Sequence, residues 1–147
     1  MSVKSKKLYA MIKSVRSCFQ DLKVLGDRLH QDLGVTASMR AVMEFLDEHG
    51  DHTVPDIARA KNVSRQHIQL LCDTLCEKGF TSQIPNPAHK RSPLICLSNK
   101  GGKTFATLQS RELILLESMA RTLTAQDIEH ATQTIESLRK RANQHET

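Results

Sequence analysis

Apolar positions recur at helical spacing through most of this chain. Leu8, Ile12, Val15, Phe19, Leu22, Gly26, Leu29 and Leu33 alternate steps of four and three, which predicts one long first helix with a continuous apolar seam. Thr36 is placed to cap a second helix, with Met39, Val42, Met43 and Leu46 inward and Gly50 as its stop. Thr53 opens a short third helix. Pro55 fits its first turn, where a missing N–H costs nothing, Asp56 follows the cap by three residues, and Ile57 and Ala58 form an apolar side. After a turn at Ala60-Lys61-Asn62-Val63, Ser64 caps a fourth helix from Arg65 to Lys78. Ile68, Leu71, Cys72 and Leu75 face inward there, and Gly79 provides the left-handed closing residue.

Beyond Gly79 the period changes to two. Phe80-Thr81-Ser82-Gln83-Ile84 reads as a half-buried strand and Ser92-Pro93-Leu94-Ile95-Cys96-Leu97 as its return partner, with Pro93 suiting an edge position. The tip between them, Pro85 to Arg91, ends in adjacent cations. Helical spacing then resumes. Ser98 can cap a helix carrying Phe105, Leu108, Leu115, Leu116 and Met119; Thr124, with Asp127 three residues on, opens a last one carrying Ile128, Ala131, Ile135 and Leu138. The predicted fold is mainly α with a small β-hairpin wing, a winged helix-turn-helix.

Two helices joined by so short a turn are the units of a helix-turn-helix, whose second helix is sized for a DNA major groove. Here its outward, N-terminal half offers Arg65, Gln66, His67 and Gln69, with His67 and Leu70 near the boundary of the two faces. Arg can be bidentate to guanine and Gln to adenine. A polar outer face equally suits an ordinary solvated helix. The hairpin tip with His89, Lys90 and Arg91 can reach phosphates or the minor groove beside that helix, or serve as a solvated loop. The order helix, turn, helix, basic hairpin favours DNA over the solvated reading of any one part.

These blocks resemble the MarR-type winged-helix transcriptional regulators. Val63-Ser64-Arg65, Leu75-Cys76-Glu77-Lys78-Gly79-Phe80 and Leu97-Ser98-Asn99-Lys100-Gly101 match the family's conventional stretches, and Asn86-Pro87-Ala88-His89-Lys90-Arg91 stands where Asp-Pro-x-Asp-Arg-Arg is usual. Asn86 and His89 thus replace acids, and Lys90 replaces the first Arg, while Arg91 matches. In the family the second of those acids commonly braces the wing arginine. Leu70 stands where a polar or basic groove residue is common. With the resemblance, the DNA-binding set comprises Ser64, Arg65, Gln66, His67 and Gln69 on the helix and His89, Lys90 and Arg91 on the wing. The resemblance also implies a small aromatic or phenolic effector.

Bulk properties narrow the classes. The 147 residues suffice for one modest domain with a core. A net charge of +5 favours a polyanionic partner, though much of the excess is terminal, at Lys4, Lys6, Lys7, Lys13 and Arg16 and at Arg139, Lys140 and Arg141. No window has the apolar length of a membrane span or the apolar core of a signal peptide, so no membrane association and a cytoplasmic location are expected.

A winged helix needs few of the long terminal seams to cover itself. The expected organisation is therefore a dimerisation helix at 1–35, the DNA-binding winged helix at 36–103 and further dimerisation helices at 104–147, giving a homodimer on double-stranded DNA. A monomer that buries its own seams is the alternative. Two recognition helices related by a two-fold axis would read a pseudo-palindromic operator at a spacing of about 34 Å. The simplest action is repression, released by a ligand that binds two conformations unequally. Its cleft is expected among the first, second and fifth helices, with Arg16, Arg28, Arg40 or Arg111 available to an acid; such arginines serve more commonly in surface ion pairs.

Four cysteines, Cys18, Cys72, Cys76 and Cys96, lie in a chain expected to stay in a reducing compartment, so structural disulfides are not expected. Some members of the resembled family sense oxidants through a first-helix cysteine, which makes Cys18 the redox candidate, with Arg16 near it in sequence. The competing and preferred reading is an inert buried thiol, and Cys72 and Cys76 are expected to pack. The histidines include no pair four apart on one helix, and His49-Gly50-Asp51-His52 reads first as a turn. No phosphate loop or nucleophile with a base is recognisable, so neither a cofactor, a metal nor an enzyme is expected. Two classes remain: a ligand-responsive dimeric transcription factor, with thiol sensing at Cys18 as a variant, and a winged-helix protein-interaction module without DNA readout.

Overall fold

In the computed structural model, which describes residues 1–145, helix α1 spans Val3–Leu29. Ser2 caps it, its hydroxyl accepting from the Ser5 amide at 3.0 Å. The helix stops four residues short of Leu33, which falls instead in a 3-10 turn, Gln31–Leu33, closed by Gly34 at φ 66°. No residue of α1 is buried. Near its end, Gly26 lets α2 (Ala37–His49) approach, because a Cβ there would already stand 3.4 Å from that of Ala37. Asp27 accepts the Ala37 amide at 2.6 Å and so satisfies one of the open N–H groups at the start of α2. Thr36 accepts a second, from Met39, at 3.2 Å.

The core forms where the predicted inner faces meet. Met39, Val42, Met43 and Leu46 of α2 pack with Ile57 and Ala58 of α3 (Val54–Lys61) and with Ile68, Cys72 and Leu75 of α4 (Arg65–Glu77). Phe80, Ile95, Phe105 and Leu108 close the cluster. Phe45, absent from the predicted inner face, is buried as well. Its ring stands among His49, 4.7 Å away, and His52, 5.1 Å away, so the His49–His52 stretch forms an aromatic turn.

Three strands form the sheet: β1 (His52–Thr53), β2 (Thr81–Ile84) and β3 (Leu94–Leu97), in the antiparallel order β1-β3-β2. The two-residue β1 is too short to show a period in the sequence. Its pairing of His52 with Ile95 and Thr53 with Leu94 makes β3 the central strand. The expectation of an edge strand holding Pro93 is therefore corrected: Pro93 lies just before Leu94, where no ladder N–H is required of it. Both hairpin strands are also shorter than predicted. Phe80 is drawn into the core, its amide donating to the Leu75 carbonyl at 2.9 Å as part of the α4 terminus.

Helix α5 (Asn99–Ala120) starts where Ser98 accepts the Gly101 amide at 2.9 Å. Gly101 is required by space, since a Cβ there would lie 1.9 Å from the Phe80 carbonyl oxygen. The chain divides into two compact units, Met1–Leu108 and the part from Gln109 onward. In the second, Thr124 caps α6 (Ala125–Gln144) by accepting the Asp127 amide at 3.1 Å. No described residue of α6 is buried, and Leu113, Ile114, Leu116, Met119, Leu123, Ile128 and Ile135 stand exposed.

Candidate nucleic-acid interface

Helix α4 is held at both ends. At its start the Ser64 hydroxyl accepts the His67 amide at 3.1 Å, so this side chain acts as the cap that fixes where α4 begins. Asn62 sets the entry angle, in the left-handed region at φ 54°, a conformation asparagine tolerates better than most residues. At the other end Gly79 takes φ 78°, and the Lys100 ammonium donates to the Lys78 carbonyl at 2.9 Å. A cation at that terminus also complements the helix dipole. Ile68, Cys72 and Leu75 anchor the inner face, which leaves Arg65, Gln66, Gln69 and Leu70 exposed.

The wing is braced by Asn86. Its carboxamide donates to the Ser92 carbonyl at 3.0 Å and accepts the Ala88 amide at 3.1 Å, closing the loop across its base. The His89 amide donates to the Asn86 carbonyl at 3.2 Å. His89, Lys90 and Arg91 are exposed on this loop. A residue that reads as a departure from the resembled family's acid is here what shapes the loop.

Helix and wing converge. A crevice of about 280 Å³ is lined by Arg65, Gln66 and Gln69 of α4, Gln83 of β2, Arg91 of the wing, and Pro55 and Pro93. Two guanidinium groups and three carboxamides thus share one concave surface beside the positive end of α4, a setting suited to phosphate and base edges. Gln83 escaped the sequence reading; the outward phase of the β2 alternation was its only signal. Gln69 is oriented by Asp73, to which its amide donates at 2.8 Å.

His67 falls elsewhere. It lines a second cleft, of about 420 Å³, with Phe19, Leu22 and Lys23 of α1, Ala37, Ser38, Ala41 and Val42 of α2, and Lys61, Val63, Ile68 and Leu71. This cleft lies among the first, second and fourth helices, and none of Arg16, Arg28, Arg40 or Arg111 lines it. It is a different cleft from the one expected among the first, second and fifth helices. Arg40 bonds Glu44 at 2.6 Å and lies over the Phe105 ring at 5.6 Å, which engages its charge in the first unit.

The cysteines divide by environment. Cys72 is buried, and burial first, then the charge of Asp73 and the neighbouring Cys76, push its thiol up to about 11. Cys18 and Cys76 are exposed, contrary to the expectation that they pack as core hydrophobes. No residue of α1 is buried, and Cys76 sits at the C-terminal end of α4, beyond Leu75, the last buried position of that helix. The Cys96 thiol and the Ser82 hydroxyl lie 3.1 Å apart across the hairpin. Among the described residues, no group of three or more His, Cys, Asp or Glu side chains is placed to hold a metal ion. Among the described residues, no helix is long and apolar enough to cross a membrane.

A capped helix after a tight turn, flanked by a braced basic hairpin, defines a winged helix-turn-helix. The chain has the winged-helix fold of MarR-family transcription regulators. One solved MarR-family transcription regulator superposes with a TM-score of 0.84 at 20% identity, covering 96% of this chain and 93% of its own. A mutant MarR from E. coli complexed with operator DNA gives 0.81 at 18% identity over 93% of this chain and 99% of that one. The transcriptional regulator BldR from Sulfolobus solfataricus gives 0.76 at 17% identity over the same two shares, 93% and 99%. No family model matches the sequence. Uncharacterized proteins of Mycobacterium bovis and Mycobacterium tuberculosis are 31% identical over 68 residues, 46% of this chain. The chain spans about half the length, 48%, of these curated relatives.

Proposed function

We propose that this chain is a sequence-specific, DNA-binding transcriptional regulator that acts as a dimer on a pseudo-palindromic operator. The observation that carries the reading is the crevice in which Arg65, Gln66 and Gln69 meet Gln83 and the wing's Arg91. A solved protein of the same fold, complexed with operator DNA, supports it. In this reading α4 enters the major groove, Arg65, Gln66 and Gln69 face base edges, and Lys90, Arg91 and His89 follow the adjacent backbone. Ser64 contributes by fixing the helix start. Repression is the simplest action, through occupation of a promoter.

Dimerisation is assigned to residues 1–35 and 104–147, on the strength of the exposed apolar side chains of α1 and of the second unit. An acidic aromatic effector would fit the 420 Å³ cleft, whose floor of Phe19, Leu22, Val42 and Leu71 is edged by Lys23, Lys61 and His67. Because that cleft joins α1 to the start of α4, an occupant that prefers one spacing of the two would change how the reading helix is presented.

Titrating the full chain onto its own upstream DNA at increasing salt tests the reading. Affinity should fall steeply as salt rises, through counterion release, and Arg91→Ala, which removes one phosphate contact from each wing of the dimer, should weaken all duplexes alike and lower the salt slope by about 2. Affinity that ignores salt, or an Arg91→Ala variant that binds as tightly as the parent, contradicts the wing assignment.

A further inference from the structure

Gln69, Leu70 and Asp73 lie three, four and seven residues beyond Gln66 and so share one outward stripe with it on α4. Leu70 sits at its centre and is 68% exposed, whereas Ile68 and Cys72 beside it are buried. Two polar groups near Leu70 make bonds within the helix itself. The Gln69 amide donates to Asp73 at 2.8 Å, and the Thr74 hydroxyl donates back to the Leu70 carbonyl at 3.0 Å. The middle of the stripe therefore projects an exposed isobutyl group one turn beyond the Arg65–Gln66 start.

We propose that Leu70 is a specificity-determining residue that reads the C5-methyl group of a thymine in the major groove. This rests on the DNA-reading assignment made above. Among the base edges exposed in that groove, the thymine methyl is the one apolar feature of unmodified DNA, and apolar side chains are its matching contacts. The first turn of α4 would then discriminate by hydrogen bonds and the second by exclusion of water from a methyl group. Because Leu70 has no place in the core, its truncation leaves the fold intact, so a change in base preference reports contact with DNA.

The full chain is first used to enrich a duplex from a random pool. Each thymine of the enriched duplex is then replaced singly by deoxyuridine, which removes only the methyl, and binding is read by fluorescence anisotropy for the parent, Leu70→Ala and Arg91→Ala. In the parent, one replacement in a half-site should weaken binding roughly fourfold, the value of one buried methyl. Leu70→Ala, which removes the contact from both protomers, should bind the thymine duplex roughly fifteenfold more weakly and be indifferent to uridine there, while Arg91→Ala keeps the full penalty. A uridine penalty of undiminished size in Leu70→Ala, or no thymine whose methyl matters, overturns the role of Leu70 while leaving DNA binding in place. A pool from which nothing is enriched overturns the DNA-reading assignment and Leu70 with it.

Discussion

Gly101 and Cys72 show how single positions constrain this chain. At Gly101 the first turn of α5 passes so close to the Phe80 carbonyl that a Cβ would lie 1.9 Å from its oxygen. Gly101→Ala must push the helix start away from the hairpin, at a cost of about 1–3 kcal/mol. Thermal unfolding should show a clear drop, whereas Gly102→Ala, with open space around it, should not fall and gains helix propensity. At Cys72 burial holds the thiol protonated up to about 11, against an ordinary 9.0. Below pH 9 both folded and unfolded chains keep this proton, and the group does not affect stability. Between pH 9 and 11 the unfolded thiol ionises while the folded one does not, so stability falls with rising pH, by of order 2 kcal/mol. Denaturant unfolding of Cys72→Ala over that interval should give a flatter pH profile than the parent. A parallel profile in the two proteins would contradict the assignment.

At the level of elements, the reading helix and the wing obtain their rigidity from different sources. Helix α4 has a buried inner face and satisfied ends, from Ser64 at one terminus to Gly79 and Lys100 at the other. The wing beyond Ile84 lacks such a core, and its shape depends on the two bonds of the Asn86 carboxamide. Asn86→Ala should therefore leave thermal stability within about 1 kcal/mol of the parent, speed amide exchange at residues 88–92, and weaken DNA binding to about the extent of Arg91→Ala. Normal exchange in that variant would show that the loop is ordered by something else. Capping residues, helix periods and the two hairpin strands were legible in the sequence because each is a local pattern. The two-residue β1 was not, since its existence depends on pairing with β3, and β3 became central only through that pairing. The shaping role of Asn86 was equally hidden, because it depends on which carbonyl lies across the loop.

For the molecule as a whole, the dominant unexplained surface is apolar. Leu8, Tyr9, Phe19 and Leu22 on α1 and Leu113, Ile114, Leu116 and Met119 on α5 are each more than 40% exposed in the single chain. Large apolar side chains exposed in such number, on each unit taken by itself, mark interaction surfaces. Light scattering at micromolar concentration should give twice the 16.5 kDa chain mass, and Leu8→Glu combined with Leu116→Glu should give the chain mass, with helix content kept and DNA affinity sharply reduced. A parent that runs as a monomer removes the dimeric operator geometry. The amino-acid order by itself determined the helices, their caps, the turn between α3 and α4 and the cationic loop, because each follows from residues within a few positions of one another. Only tertiary packing decided which side chains share a surface: it joined Gln83 and Arg91 to Arg65, turned His67 toward α1 and α2, and left Cys18 in solvent. Contacts between residues far apart in sequence depend on which faces the core consumes, and that choice is made by the fold as a unit.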